Sequence, residues 1–180
     1  SYNHTLKLGG TNSGSIIFAT ADAKAEGAIN VDHIQVDKGS ISAKNGIWDG
    51  TNTDVTLSGA DTALSVIGSF DEERAANLTL NNIDMAGTGS KVTIGEAGTL
   101  KANKLTASEN STLTVDAYGS AEFNQVDFSL LGSANASDLT VDAAVSIRGD
   151  LKINGDANAT VGTGEQATAD ERNGVHFGEA

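Results

Sequence analysis

The chain has 180 residues, with 11 Lys and Arg against 24 Asp and Glu, and a formal net charge of −13. The absence of cysteine excludes disulfide bonds and thiolate metal sites, and the negative charge argues against binding to nucleic acid, which is itself a polyanion. No window approaches the run of about 20 apolar residues that spans a bilayer, and the chain has no proline. We therefore expect a single domain without membrane insertion, in which most backbone N–H groups join sheet ladders.

Short runs that read apolar–Thr–apolar predict strands along most of the chain. In this period-2 pattern the two apolar side chains face one side of the strand and Thr faces the other. Gly, Asn, Asp and Ser between the runs predict turns. A helix-like stretch at 69–76 is short enough to be a loop. In chain order the runs are Val55-Thr56-Leu57, Leu78-Thr79-Leu80, Val92-Thr93-Ile94, Leu113-Thr114-Val115 and Leu139-Thr140-Val141.

A first repeated motif is apolar, Asn or Asp, any residue, apolar, polar, apolar. Its copies lie at 31–36, 80–85, 102–107 and 123–128, and their second residues are 49, 22 and 21 positions apart. The interval of 49 is close to two repeats. We expect Ile83, Leu105 and Val126 to form one inward column. His33 occupies the variable third position of its copy, so we expect its side chain to point outward.

A second motif, Ser-x-apolar-Thr-apolar, lies between copies of the first. It occurs at 90–94, 111–115 and 137–141, and 53–57 fits with Thr in place of Ser. Two motifs with one shared period indicate a solenoid, in which each repeat covers its neighbour. We predict an all-β parallel β-helix of about 21–26 residues per coil over 1–180, with 163–180 as a flexible end or loop. A leucine-rich repeat fits less well, because Leu is not dominant and no repeat carries a helix pattern.

The repeats resemble the passenger domains of bacterial autotransporters and two-partner-secretion exoproteins. The resemblance covers about 28–162 and is carried by 87–100 (GTGSKVTIGEAGTL) and 109–119 (ENSTLTVDAYG). It implies a right-handed parallel β-helix, secreted to a Gram-negative cell surface and serving adhesion or self-association. The lack of cysteine agrees with such passengers, which cross the outer membrane unfolded. We expect the chain to be a segment excised from a longer passenger.

The clearest binding motif is Arg148-Gly149-Asp150, the tripeptide of integrin-type cell attachment. It lies between the apolar runs 145–147 and 151–153, where Gly149 could place it at a turn. The alternative is a strand-ending turn with ordinary surface charges, because short motifs match often by chance.

Other chemistry has weaker support in the sequence. The loop 49–54 is rich in oxygen ligands but lacks the spacing and bidentate Glu of an EF-hand, so we interpret it as a turn. No nucleophile elbow and no metalloprotease motif occurs. Thr56, Thr93, Thr114 and Thr140 are expected to stack in one column across the coils, an ordinary Thr ladder rather than an ice-binding array.

The predicted function is therefore a non-enzymatic adhesin segment without a cofactor or metal. Its partner would be a host surface protein, a glycan or another copy of itself. A carbohydrate-active β-helix enzyme is the first alternative and would require a cleft with several acids and an aromatic platform. A passive stalk is the second alternative.

Overall fold

The structure is a computed structural model that describes 4–22, 24–108, 111–116 and 118–128, with side chains to 127. Beyond these residues it describes five more strands by their backbone. The described part of the chain contains strands and turns but no helix, so it holds no helix that could cross a membrane.

Eighteen strands make up the described structure, and every strand pair is parallel. The strands are β1 Thr5–Leu8, β2 Gly14–Phe18, β3 Glu26–Ala28, β4 His33–Val36, β5 Gly39–Ala43, β6 Gly46–Gly50, β7 Asp54–Leu57, β8 Ala63–Val66, β9 Ala76–Met85, β10 Lys91–Ile94, β11 Gly98–Ala107, β12 Thr112–Val115, β13 Ser120–Phe128, β14 Asp138–Val141, β15 Ala144–Ile147, β16 Leu151–Ile153, β17 Asn158–Val161 and β18 Gly174–Phe177.

The chain winds as a β-solenoid, and the residues with described side chains make about five turns. Each turn crosses three faces. Face 1 holds β1, β4, β7 and the second halves of β9, β11 and β13. Face 2 holds β2, β5, β8, β10, β12, β14 and β17, and face 3 holds β3, β6 and the first halves of β9, β11 and β13. The predicted parallel β-helix is confirmed.

The first motif forms the core of face 1. Ile83 pairs with Leu105, and Leu105 pairs with Val126, so the three residues form one column across consecutive coils. All three side chains are at most 1% exposed. The inward column predicted from the sequence is therefore confirmed. The register is well specified, because a shift of one residue would turn each of these apolar side chains to solvent.

The second motif forms face 2, with one correction. Val92 pairs with Leu113, and Leu113 pairs with Leu139, as the motif predicts. The run 53–57, assigned to this motif by sequence, lies instead on face 1 as β7. Its Val55 pairs with Ile34 on one side and with Ile83 on the other. The run 53–57 is therefore the face 1 strand of the coil that lies between the first-motif copies at 31–36 and 80–85, which are 49 positions apart.

The predicted Thr column is wrong at one position for the same reason. Thr93, Thr114 and Thr140 are in register on face 2, whereas Thr56 pairs with Gln35 and Asp84 on face 1. An apolar–Thr–apolar run does not reveal which face its strand occupies, because every face buries alternate side chains in the same way.

Coil length varies more than the sequence motifs indicate. From Val55 to its partner Ile83 the chain takes 28 residues, against 21 from Leu105 to Val126. The longer coil contains the connection 67–75 between β8 and β9, while the two following connections at this corner span only 95–97 and 116–119. Of the range 163–180, expected as an end or loop, the structure describes only β18.

Candidate functional site

The outer surface of face 2 consists mostly of Ser and Thr side chains, and we call it the hydroxyl face. Buried aliphatic residues alternate with these outward residues along each strand. Its central column contains Ile17, Ser42, Ser65, Thr93 and Thr114 in direct register. The members with described side chains are Ser15, Ile17, Ser40, Ser42, Ala63, Ser65, Lys91, Thr93, Thr112 and Thr114.

The hydroxyl face has no carboxylate among these described side chains, and Lys91 is its one charged member. The outer columns of the other two faces do carry acids, including Asp84 on face 1 and Asp49 on face 3. Beyond β12 the register continues from Thr114 to Thr140 and from Thr112 to Asp138. In a chain of charge −13, this surface is set apart because its described side chains carry no acid, and Asp138 in β14 is the first acid along its columns.

A ladder of amides runs along the corner between faces 3 and 1. Asn103 donates from Nδ2 to Asn82 Oδ1, and Asn124 donates from Nδ2 to Asn103 Oδ1, both at 3.2 Å. Asn81 Nδ2 donates to Asp54 Oδ1 at 2.8 Å in the preceding coil. Asn81, Asn103 and Asn124 hold the Asn position of the first motif, whereas Asn82 holds its variable third position. Asn82, Asn103 and Asn124 bond to one another between coils on the outside of the solenoid, and Asn81 bonds to Asp54 instead.

The most strongly held carboxylate on face 1 is Asp37. Gln35 Nε2 donates to its Oδ1 at 2.8 Å, Ser58 Oγ donates to the same oxygen, and Lys7 Nζ lies 3.1 Å from Oδ2. The hydrogen bond from Gln35, then those from Ser58 and Lys7, lower the pKa of Asp37 to about 2. The carboxylate therefore stays ionised and joins three consecutive coils.

Two further polar residues on face 1 belong to the outer columns. His33 Nε2 lies 2.8 Å from Thr56 Oγ1 in the next coil, so the outward orientation expected for His33 is confirmed. Asp84 lies between Thr56 and Thr106 in register, and its partial removal from water raises its pKa.

The long connection 67–75 forms a small hairpin at the corner between faces 2 and 3. Ser69 and Arg74 exchange two backbone hydrogen bonds of 2.7 and 2.8 Å. Gly68 is required at its base, since a Cβ there would lie 2.2 Å from the Arg74 carbonyl oxygen. The Phe70 N–H donates to Glu96 Oε2 at 3.2 Å, which attaches the hairpin to the next coil.

The hairpin brings together two aromatic rings that are 48 positions apart in sequence. The ring centroids of Phe70 and Tyr118 are 5.8 Å apart at an interplanar angle of 85°. Phe70 is 54% exposed and Tyr118 is 53% exposed, and Ile67 beside the hairpin is 40% exposed. Two of the few aromatic residues of the chain, which is 4% aromatic, therefore lie together on the surface.

A shallow groove of about 470 Å³ crosses face 3 near its start, lined in part by Glu26, Trp48 and Asp49. The Trp48 ring packs over Gly27, where a Cβ would lie 2.7 Å from Cζ3, and its Nε1–H donates to the Asn45 carbonyl oxygen at 2.6 Å. Hydrogen bonds from the Thr51 hydroxyl and backbone N–H lower the pKa of Asp49.

The loop 49–54, interpreted from sequence as a turn rather than a metal site, does not gather its acids around one point. The two acids at the ends of the loop 49–54 bind different groups: Asp49 accepts from Thr51, and Asp54 accepts from Asn81 and Asn82. Within the described ranges no group of three or more His, Cys, Asp or Glu could hold a metal ion. Arg148, Gly149 and Asp150 lie outside the described residues.

Comparison of the chain with protein-family models, with curated proteins and with solved structures finds no match. The candidate surfaces therefore rest on geometry and charge alone.

Two surface features were missed by sequence reasoning. The lack of acids among the described side chains of the hydroxyl face becomes visible only when the repeats are aligned by face, and the assignment of 53–57 to face 2 obscured that alignment. Phe70 and Tyr118 carried a weaker signal, since both are rare aromatics in loops rather than in the alternating strand pattern.

Proposed function

We propose that the chain is a non-enzymatic adhesin segment that associates with another copy of itself through the hydroxyl face. The observation that carries the proposal is the absence of carboxylates from the described side chains of this face, in a chain of charge −13. Two copies that meet here avoid the like-charge contacts that the other faces would impose. The resemblance to autotransporter passengers supports placement on a Gram-negative cell surface.

The chemistry of the hydroxyl face suits pairing with an identical surface. A Ser or Thr hydroxyl is both a donor and an acceptor, so Thr93 can bond to the same residue of a second copy. A symmetric dimer requires such self-complementarity, since each patch meets its own copy. Short side chains also lose less rotamer entropy on binding than long ones do.

The size of the face sets the strength of this association. Strands of four residues are about 13 Å long, and five described coils rise about 24 Å, which gives on the order of 300 Å². A stable interface buries about 800 Å² per partner, so one pair of faces binds weakly. On a cell surface with many copies, such weak contacts add up through multivalency.

Sedimentation velocity at two salt concentrations tests the proposal. The charge of −13 repels identical copies, and the screening length falls from about 30 Å at 0.01 M to about 8 Å at physiological ionic strength. We expect weak association that strengthens between about 0.01 and 0.15 M salt. Thr93→Glu should abolish it, because it introduces a carboxylate into the central column.

Thr79→Glu provides the matched control, since Thr79 occupies an outer column of face 3 and the substitution changes the net charge equally. It should weaken association far less than Thr93→Glu. A chain that stays monomeric at high concentration in both salts would contradict self-association. Binding to a host protein or a glycan, including through Arg148-Gly149-Asp150, would then be tested next, and a stalk would follow if neither bound.

The groove beside Trp48 is the feature most similar to the acid-lined cleft that a carbohydrate-active enzyme would require. A retaining or inverting glycosidase requires one carboxyl group with a raised pKa to act as general acid. Asp49 has a lowered pKa instead, because of its contacts with Thr51, so it does not meet this requirement. These contacts favour the adhesin over a carbohydrate-active enzyme.

A further inference from the structure

A second surface, at the corner between faces 2 and 3, combines exposed rings with carboxylates. We call it the acidic aromatic corner and define it by Ile67, Phe70, Glu96 and Tyr118, with the hairpin and turns that carry them. The Phe70 N–H is bonded to Glu96, and the Ala97 N–H donates to the Tyr118 carbonyl oxygen at 3.1 Å. Three successive coils therefore fix the positions of the two rings.

The corner has an excess of negative charge. Asp71, Glu72 and Glu73 lie on the hairpin, and Glu96 and Asp116 lie on the two turns that follow. All five residues are exposed, and Arg74 is the single exposed base on these loops, 3.4 Å from Glu72. Lys44 lines a groove of about 330 Å³ together with Ile67, Glu72 and Arg74.

We infer that the acidic aromatic corner binds a Lys- or Arg-rich segment of a partner protein. A guanidinium or ammonium group is attracted to the face of an aromatic ring, and here it would also approach carboxylates such as Glu96. Both rings are more than half exposed, so a side chain can reach them without rearrangement of the hairpin. The methylene stem of the bound side chain would cover Ile67 or the ring edges.

Charge selects this partner over the other candidates. A second copy of the chain also carries −13, so it does not complement an acidic surface. A neutral glycan could donate hydrogen bonds to the carboxylates but gains no charge attraction from them, and the two ring planes, at 85°, do not form a continuous flat platform. The proposal concerns a surface separate from the hydroxyl face and does not depend on self-association.

Fluorescence anisotropy with a labelled octa-arginine peptide and the full chain, at physiological salt, tests this inference. Phe70→Leu keeps an apolar side chain but removes the ring, and should raise Kd about two- to fivefold. Glu96→Gln keeps an oxygen that can accept from the Phe70 N–H while it removes the charge, and should also raise Kd up to about fivefold. Tyr118→Asn removes the second ring and suits the left-handed backbone there, φ 67°.

Glu26→Gln is the matched control, because it removes one carboxylate from β3 on face 3, outside the corner. It should change Kd less than Glu96→Gln does. Equal effects of the two Glu variants together with no effect of Phe70→Leu would overturn the proposal, because the peptide would then bind to overall charge. Circular dichroism of each variant verifies that the fold is retained.

Binding of a neutral glucose hexasaccharide tests the alternative that the partner is a glycan. If the hexasaccharide binds in a Phe70-dependent manner while octa-arginine does not, the corner is a glycan site and the inference is wrong. Thr93→Glu, which disrupts the hydroxyl face, should leave the Phe70 dependence of peptide binding intact. The failure of one proposal is thereby distinguishable from the failure of the other.

Discussion

The side chain of Asn124 donates a hydrogen bond from Nδ2 to Asn103 Oδ1 at 3.2 Å, across two consecutive coils. Both side chains are exposed, so the ladder lies on the outer corner of the solenoid rather than in its core. Two residues further along β13, Val126 is 1% exposed and packs in the core. This contrast between neighbouring positions makes the register directly testable.

Asn124→Ser should therefore cost about 0.5 kcal/mol, because water can replace an exposed amide hydrogen bond. Val126→Asp should cost on the order of 4 kcal/mol, because it buries an unpaired charge and loses apolar packing. Urea denaturation measures both changes. Val126→Thr, which nearly keeps the shape without the charge, should fall between them, and small equal losses for Asn124→Ser and Val126→Asp would contradict the register.

Ser90 and Ser111 occupy equivalent buried positions in consecutive coils, and they differ in their hydrogen bonds. Ser111 Oγ donates to the Ser108 carbonyl oxygen at 2.7 Å, whereas Ser90 Oγ has no hydrogen-bond partner among the described residues. Ser111→Ala should cost about 1 kcal/mol, and Ser90→Ala should be neutral or stabilising, because it removes an unsatisfied buried hydroxyl. Chemical denaturation compares them, and an equal cost for both variants would refute this account.

The Asp37 network predicts a pH-dependent stability. The pKa of Asp37 is about 2 in the fold and 3.8 in a free side chain, so folding favours its ionised form. The stabilisation is complete above pH 3.8 and is lost as the pH falls through the folded-state pKa. Asp37→Asn should lower Tm at pH 7, and the difference from wild type should shrink towards pH 2.

Thermal unfolding between pH 2 and pH 7 measures this effect. Asp71→Asn, at an exposed residue of the hairpin, serves as the control and should shift Tm little at any pH. If the Asp37→Asn difference persisted unchanged at pH 2, the loss would come from packing rather than from the ionised carboxylate.

Asp84 should have the opposite effect, because its pKa is raised by partial removal from water. Folding then favours the protonated form, so this group destabilises the fold at neutral pH and does so less as the pH falls. Asp84→Thr should raise Tm slightly at pH 7, and it would also extend the column between Thr56 and Thr106. Calorimetry at pH 7 tests this, and a lower Tm would show that the carboxylate contributes to stability.

The amino-acid sequence determined the fold class and the core of the stacked coils. A period-2 pattern repeated at about 21 residues leaves each coil with apolar side chains that only a neighbouring coil can cover, so parallel stacking follows. The copies at 80–85, 102–107 and 123–128 therefore predicted the column of Ile83, Leu105 and Val126 correctly. The pairing of these three residues could be predicted without knowledge of loop geometry.

The tertiary structure alone decided which face each strand occupies and which loop residues meet. Val55 lies on face 1 although its run matches the face 2 motif, because the register of β7 is set by pairing with β4 and β9 rather than by its own residues. Phe70 and Tyr118 meet because stacking places the hairpin 67–75 beside a turn two coils away. Loop length is weakly constrained by the ladder, so no local pattern could specify that contact.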